Sequence, residues 1–181
     1  MLTVLLAVLL VLILGLRIGS RYKKVNVVGL FHPYCNAGGG GERVLWCVVQ
    51  ALQSGMYNVV IFARANDCAN PGEVISRAES RFNVKVDATR LRFIPLYSDK
   101  LLEAETYARL TLFGQSVGSM LVGMEAMWKM RPDVWIDTMG YSFIYPIAWC
   151  CGCRVGSYTH YPTMSTDMVR QDLFFYPINP M

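Results

Sequence analysis

Charge is scarce in this chain. Of its 181 residues only 17% are Asp, Glu, Lys or Arg, and histidine occurs twice. A disordered segment needs the opposite balance, so 54% hydrophobic content and a mean hydropathy of +0.32 exclude disorder, and the composition fits neither collagen nor a coiled coil. The basic excess is local. Arg17, Arg21, Lys23 and Lys24 lie in the first 24 residues, and without these four the 17 basic residues fall to 13, equal to the 13 acidic ones. A body with no net positive charge offers no basic face to displace counterions from phosphates, which sets nucleic-acid binding aside. Internal repeats, low-complexity tracts and linkers are also missing, and the length suits one α/β domain.

Several signatures are absent as well. A G-x-G-x-x-G beginning at Gly38 would need glycine where Arg43 stands, and a Walker loop would need Gly-Lys-Ser/Thr. Serine, histidine and acid residues form no nucleophile elbow, so hydrolase chemistry is not indicated. The six cysteines, Cys35, Cys47, Cys68, Cys150, Cys151 and Cys153, fall mostly inside apolar stretches and read as core thiols of a reducing compartment. Cys150 and Cys153 make one C-x-x-C, but a structural zinc site takes a second pair or two spaced histidines. No Asn-x-Ser/Thr sequon occurs, in keeping with a cytosolic body.

What is present begins with Met1 to Leu16, an apolar run broken only by Thr3 and Gly15 and followed by a basic flank. Twenty helical residues span about 30 Å, enough to cross the hydrocarbon core. Residues 1–20 therefore read as one transmembrane anchor. A signal peptide would place its positive charges before the run and a small-residue cleavage site after it. Here the charges follow, which by the positive-inside rule puts the body in the cytosol.

From Lys24 the chain alternates short β-branched runs with helical stretches, the pattern of a parallel sheet covered on both faces. Strands are expected at Val25 to Phe31, Asn58 to Ala63, Arg92 to Leu96, Asp133 to Asp137 and Arg154 to Tyr158. Helices are expected at Glu42 to Ser54, from Pro71, at Leu110 to Met130 and at Ser142 to Cys150. The Met-rich helix 110–130 has the length of a second span, but Gln115, Glu125 and Lys129 interrupt it and favour a helix covering the sheet.

The clearest chemical signal is the loop His32-Pro33-Tyr34-Cys35-Asn36-Ala37-Gly38-Gly39-Gly40-Gly41, which leads from the first strand into a helix. Four glycines bare the backbone amides at a helix N-terminus, a ready site for a diphosphate or other anion. A merely flexible turn is the poorer explanation, because four glycines lose conformational entropy that a plain connection does not require. The second candidate is His160, just past the last strand at the carboxyl edge where open α/β sheets bind ligands. Asp137, leaving the preceding strand at that edge, either hydrogen-bonds sugar hydroxyls or caps the helix at Ser142.

FHPYCNAGGGGERVLW (31–46), TLFGQSVGS (111–119), PDVWIDTMGY (132–141) and VGSYTHYPTMSTDM (155–168) together resemble the GDP-mannose-dependent α-1,2-mannosyltransferases that extend dolichol-linked oligosaccharides, within glycosyltransferase family four. The resemblance implies the N-terminal Rossmann-like, acceptor-side domain of a two-domain GT-B enzyme over residues 21–168. It implies transfer of the fourth and fifth mannoses, with retention at the anomeric carbon, to the diphosphate-linked Man3GlcNAc2 lipid at the cytosolic face of the endoplasmic reticulum, in protein N-glycosylation. By the same resemblance Gly38, Gly39, Gly40 and Gly41 face the donor diphosphate and the acceptor, His160 is the motif histidine beside the transferred sugar, and Asp137 and Tyr161 join in holding substrate. No metal or other cofactor is implied beyond the donor GDP-mannose. Other mannosyltransferases of the pathway are expected partners. Residues 169–181 leave the pattern, and the family's donor-binding second domain with its E-x7-E motif is not found before Met181, so the chain is expected to be inactive alone.

Two other functions compete with this reading. A non-catalytic, membrane-anchored half would recruit or compete for a partner subunit, and a large exposed apolar patch would favour it. A Rossmann dehydrogenase or methyltransferase would grip a ribose with an acidic residue after the second strand, where Asp67 stands, but lacks its glycine fingerprint.

Overall fold

A computed structural model of the protein describes residues 26–158. Runs of Val, Ile and Phe bounded by turn residues form five strands: β1 (Val27–Phe31), β2 (Asn58–Arg64), β3 (Leu91–Leu96), β4 (Val134–Asp137) and β5 (Arg154–Ser157). Between them lie α1 (Gly40–Ser54), α2 (Pro71–Phe82), α3 (Thr111–Lys129) and the short α4 (Tyr145–Cys150). The sheet order is β3-β2-β1-β4-β5, parallel throughout, which is a doubly wound Rossmann-like arrangement. The transmembrane reading of residues 1–20 lies outside the described residues. Among those described, no helix is long and apolar enough to cross a membrane.

Side chains alternate along each strand, so the sheet builds one core on each face. Val28, Leu30, Val59 and Ile61 meet Leu45, Trp46 and Val49 of α1 with Val74 and Ala78 of α2. Phe31, Val60, Phe62 and Trp135 meet Val122, Ala126 and Met127 of α3 with Ala148 of α4. Trp135 has no exposed surface and lies between Phe31 and Phe62, at ring-centroid distances of 5.2 and 5.0 Å. β4 is pinned to β1 at its start, where the Asp133 carboxylate accepts from the amides of Asn26 and Val27 at 3.0 Å each.

Several elements depart from the sequence expectation. α1 starts two residues early, at Gly40, and the last helix is a 3₁₀ turn, Ser142–Ile144, followed by α4. Further 3₁₀ turns at Asp99–Leu102 and Ala104–Thr106 link β3 to α3. Cys35 and Cys153 are core thiols as expected, but Cys47 is exposed, because at 100° per residue it points away from the Leu45 and Val49 side of α1. α3 packs closely because it is small on its inner side: a Cβ at Gly118 would clash with the Leu101 carbonyl. Its other side exposes Phe113, Val117, Met120, Leu121, Met124 and Trp128, the last 92% accessible.

Glu125 ties α3 to the exit of β3. Its carboxylate accepts from the amides of Tyr97 and Ser98 at 2.9 and 3.0 Å, from the Ser98 hydroxyl and from Lys129 Nζ at 2.5 Å. Burial pushes its pKa up, but these bonds outweigh burial and hold it at about 2, against an ordinary value of 4.5. A depressed carboxyl stabilises the fold above its unfolded pKa, and that stability disappears as pH falls toward 2. Thermal melts at pH 5, 3 and 2 are therefore expected to fall less steeply for Glu125→Gln than for the wild type, and an equal slope would remove Glu125 from this role.

Candidate active site

The chain winds outward from β1 to β2 and β3, then crosses back to place β4 on the other side of β1. The switch point is thus between β1 and β4, and the crevice outside their carboxyl ends is where such sheets take ligands. β1 runs out at Phe31 into His32 and a turn at Pro33 to Asn36, which delivers the four glycines to this crevice. Gly38 takes φ +82° with the Arg81 guanidinium packed over it, and Gly39 caps α1. Gly40 and Gly41 form the first helical turn, ahead of the first intrahelical bond, Arg43 N–H to the Gly39 carbonyl at 3.3 Å.

This helix start is already engaged. The Gly39 amide donates to Glu42 Oε2 at 2.5 Å, a carboxylate at the third helical position reaching back to the cap. The other oxygen, Glu42 Oε1, stands 3.6 Å from His32 Nε2. On its far side the imidazole meets β4: His32 Nδ1 is 2.7 Å from the Thr138 hydroxyl, which itself lies 3.0 Å from the Phe31 carbonyl. The single hydroxyl proton goes to that carbonyl, so the Thr138 oxygen accepts and Nδ1 carries the imidazole proton. His32 is fully buried and its Nε2 has no hydrogen-bond partner. Burial pushes its pKa below the ordinary value, more than Glu42 pulls it up. The ring is therefore neutral, and 3.6 Å is the standoff of two acceptors.

Asp137 is fully buried at the end of β4. Its carboxylate accepts from the amides of Met139 and Gly140 at 2.9 and 2.8 Å and from the Tyr145 hydroxyl at 2.7 Å, while burial still raises its pKa. Of the two sequence roles, this geometry is of the capping kind: it holds the turn into the Ser142 segment, with Gly140 at φ +92°. The Asp137 carbonyl accepts from the amide of Tyr158, the last described residue, at 2.7 Å. His160 and Tyr161 lie outside the described residues.

Other polar groups flank the loop. Tyr34 and Tyr141 lie beside one another, and the Arg64 guanidinium sits 4.7 Å above the Tyr34 ring. Asp67 faces Arg64 at 3.7 Å rather than standing free for a ribose. Beside Gly38 and Asn36 a cavity of about 380 Å³ opens toward Arg77 and Arg81 of α2. No group of three or more metal-ligating side chains occurs among the described residues, the Cys150 and Cys153 pair included.

His32, Glu42 and Thr138 were not singled out by sequence. Glu42 three residues after Gly39 has the spacing of a helix-capping carboxylate and was the available signal. His32 and Thr138 are 106 residues apart and meet only through strand pairing. The loop's own geometry supports a direct test. Gly38→Ala places a side chain at φ +82° against Arg81 and is expected to cost about 1–3 kcal/mol in urea unfolding. Gly72→Ala, with open space around it in α2, is expected to be neutral or stabilising.

A doubly wound parallel sheet with a glycine-rich helix start at its switch point defines a Rossmann-like α/β domain. The chain belongs to the ALG11 mannosyltransferase N-terminus family, whose model matches residues 25–172. It is similar to proteins named GDP-Man:Man(3)GlcNAc(2)-PP-Dol alpha-1,2-mannosyltransferase: 47% identical over 154 residues to that of Xenopus laevis, covering 84% of this chain and 32% of the relative. Identity is 49% over 149 residues to the Mus musculus protein and 46% over 149 to the Homo sapiens protein, in each case 81% of this chain and 30% of the relative. The chain thus spans about a third of the length of the curated relatives it matches. No solved structure matches it significantly.

Proposed function

We propose that this chain is the acceptor-side half of a GDP-mannose-dependent α-1,2-mannosyltransferase that extends the dolichol-diphosphate-linked Man3GlcNAc2 oligosaccharide. Residues 1–20 anchor it in the endoplasmic reticulum membrane and residues 21–168 form the first domain of a GT-B enzyme on the cytosolic side, the donor nucleotide being held by a second Rossmann-like domain. The observation that supports this most is the Gly38 to Gly41 loop at the β1/β4 switch point of a chain belonging to this family. The amides at this helix start supply positive potential to a diphosphate, and His160 with Tyr161 supplies the polar wall beside an oxocarbenium-like centre. The reaction proceeds with retention and without a metal.

The test is mannose transfer from GDP-mannose to lipid-diphosphate-linked Man3GlcNAc2, read by mass. The chain alone is expected to be inactive and a version extended by a donor domain active, with His160→Ala lowering the extended version's rate by about 10²-fold or more. An extended version that binds donor and does not transfer overturns the proposal. The exposed apolar row on α3 favours a second reading, a non-catalytic membrane-anchored half acting through a partner subunit. That reading predicts that the added chain inhibits the full-length enzyme in the same assay.

A further inference from the structure

Resting on the anion reading of the glycine loop, a further role falls to His32. An anion at the head of α1 needs the Gly39 amide, and that amide is held by Glu42 Oε2, a negative charge where the ligand's own charge must go. Glu42 must move for the loop to open. The group next to it is His32, whose Nε2 is buried, unpartnered and 3.6 Å from Glu42 Oε1. Thr138 fixes the ring, so Nε2 cannot turn away. Gly41 leaves room on the same side, since a Cβ there would lie 3.9 Å from His32 Cε1.

We propose that His32 is the positioning residue that opens the loop: a diphosphate taking the Gly39 amide displaces the Glu42 carboxylate toward His32, whose Nε2 takes up a proton from solvent and holds it. A shift of under 1 Å brings 3.6 Å to hydrogen-bonding distance. In the closed state two acceptors face each other, and in the open state the pair becomes imidazolium and carboxylate. Thr138 and Phe31 keep Nδ1 a donor in both. Among the described residues Glu42 is the charged group facing this ring, because Asp137, next to Thr138, commits its carboxylate to the 139–140 amides and Tyr145. Anion binding is thereby coupled to one proton.

Isothermal titration of the purified 181-residue chain in detergent with inorganic pyrophosphate, from pH 6 to 9, tests this against His32→Asn and Glu42→Gln. Asn keeps a donor toward Thr138 and lacks Nε2, and Gln removes the charge on the amide. The ratio of wild-type to His32→Asn affinity cancels the probe's own titration. It is expected to rise as pH falls, approaching about tenfold per pH unit between the closed and open values of His32. Glu42→Gln is expected to bind more tightly at high pH and to lose that extra slope. Imidazole ¹⁵N shifts of the unliganded wild type, which need no variant, are expected to report a neutral ring protonated at Nδ1. Binding with equal slopes in all three proteins, or a ring protonated at Nε2, overturns the role of His32 and leaves the anion loop standing. Absence of pyrophosphate binding in every form, Glu42→Gln included, overturns both.

Discussion

Trp135→Ala is expected to destabilise the domain by about 3–5 kcal/mol, the range for truncating a fully buried aromatic. The site leaves no easy route to collapse. The indole has no exposed surface, is flanked by Phe31 and Phe62 from two neighbouring strands, and lies under α3 in the same core as Val122 and Ala126. Removing it empties the centre of one face while β1 and β2 stay pinned by their ladders. Trp135→Phe keeps a ring in place and deletes the buried indole N–H, which has no hydrogen-bond partner, so its loss is expected to stay below about 1.5 kcal/mol. Urea unfolding of the two variants measures both. A small loss for alanine would mean that the aromatic sandwich is not what joins β4 to β1 and β2.

Asp137→Ala is expected to lower stability by roughly 2–4 kcal/mol near pH 7, because the amides of Met139 and Gly140 and the Tyr145 hydroxyl lose their acceptor at a buried position. Asn restores one acceptor and is expected to recover part of the loss. The pH dependence separates this carboxyl from Glu125. Burial raises the Asp137 pKa above 3.8, so the advantage of Asp over Asn is largest below that value and shrinks as pH rises through the raised one. Acid therefore helps one carboxyl and removes the contribution of the other. Melts of the Asn and Gln variants at pH 3 and pH 7 are expected to move in opposite directions relative to the wild type.

The layered sheet was legible because its strands are apolar runs between turn residues, and its helices keep a 3.6-residue period over three or more turns. β1, β2, β3 and α2 fall within a residue or two of where the residue pattern puts them. The start of α1 was not legible, since glycines are poor helix formers and the first turn over Gly40 and Gly41 is held by the Arg43 amide on the Gly39 carbonyl and the Glu42 contact to the Gly39 amide. The 3₁₀ turns at 99–106 rest on local contacts such as the Tyr107 hydroxyl bonding to the Leu101 carbonyl, which carry no periodicity. In the site, the glycine loop announced itself by composition. Asp137 could be read two ways until burial and its three donors were known, and the pairing of His32 with Thr138 depends on β1 and β4 being neighbours.

That neighbour relation also sets a timetable. β1 pairs with β2 about 30 residues later, but with β4 only after more than 100 have been made, as the Asn26 and Asp133 bond shows with its separation of 107. During synthesis, the β1-β2-β3 unit has all its residues available well before β4 leaves the ribosome. Until then β1 is an open parallel edge and Phe31 and Phe62 lack the Trp135 ring they pack against, the kind of surface that recruits chaperones or other nascent chains. Long-range pairing of this sort slows folding, and the crevice between β1 and β4 cannot exist until β4 is available, long after β1 and β2.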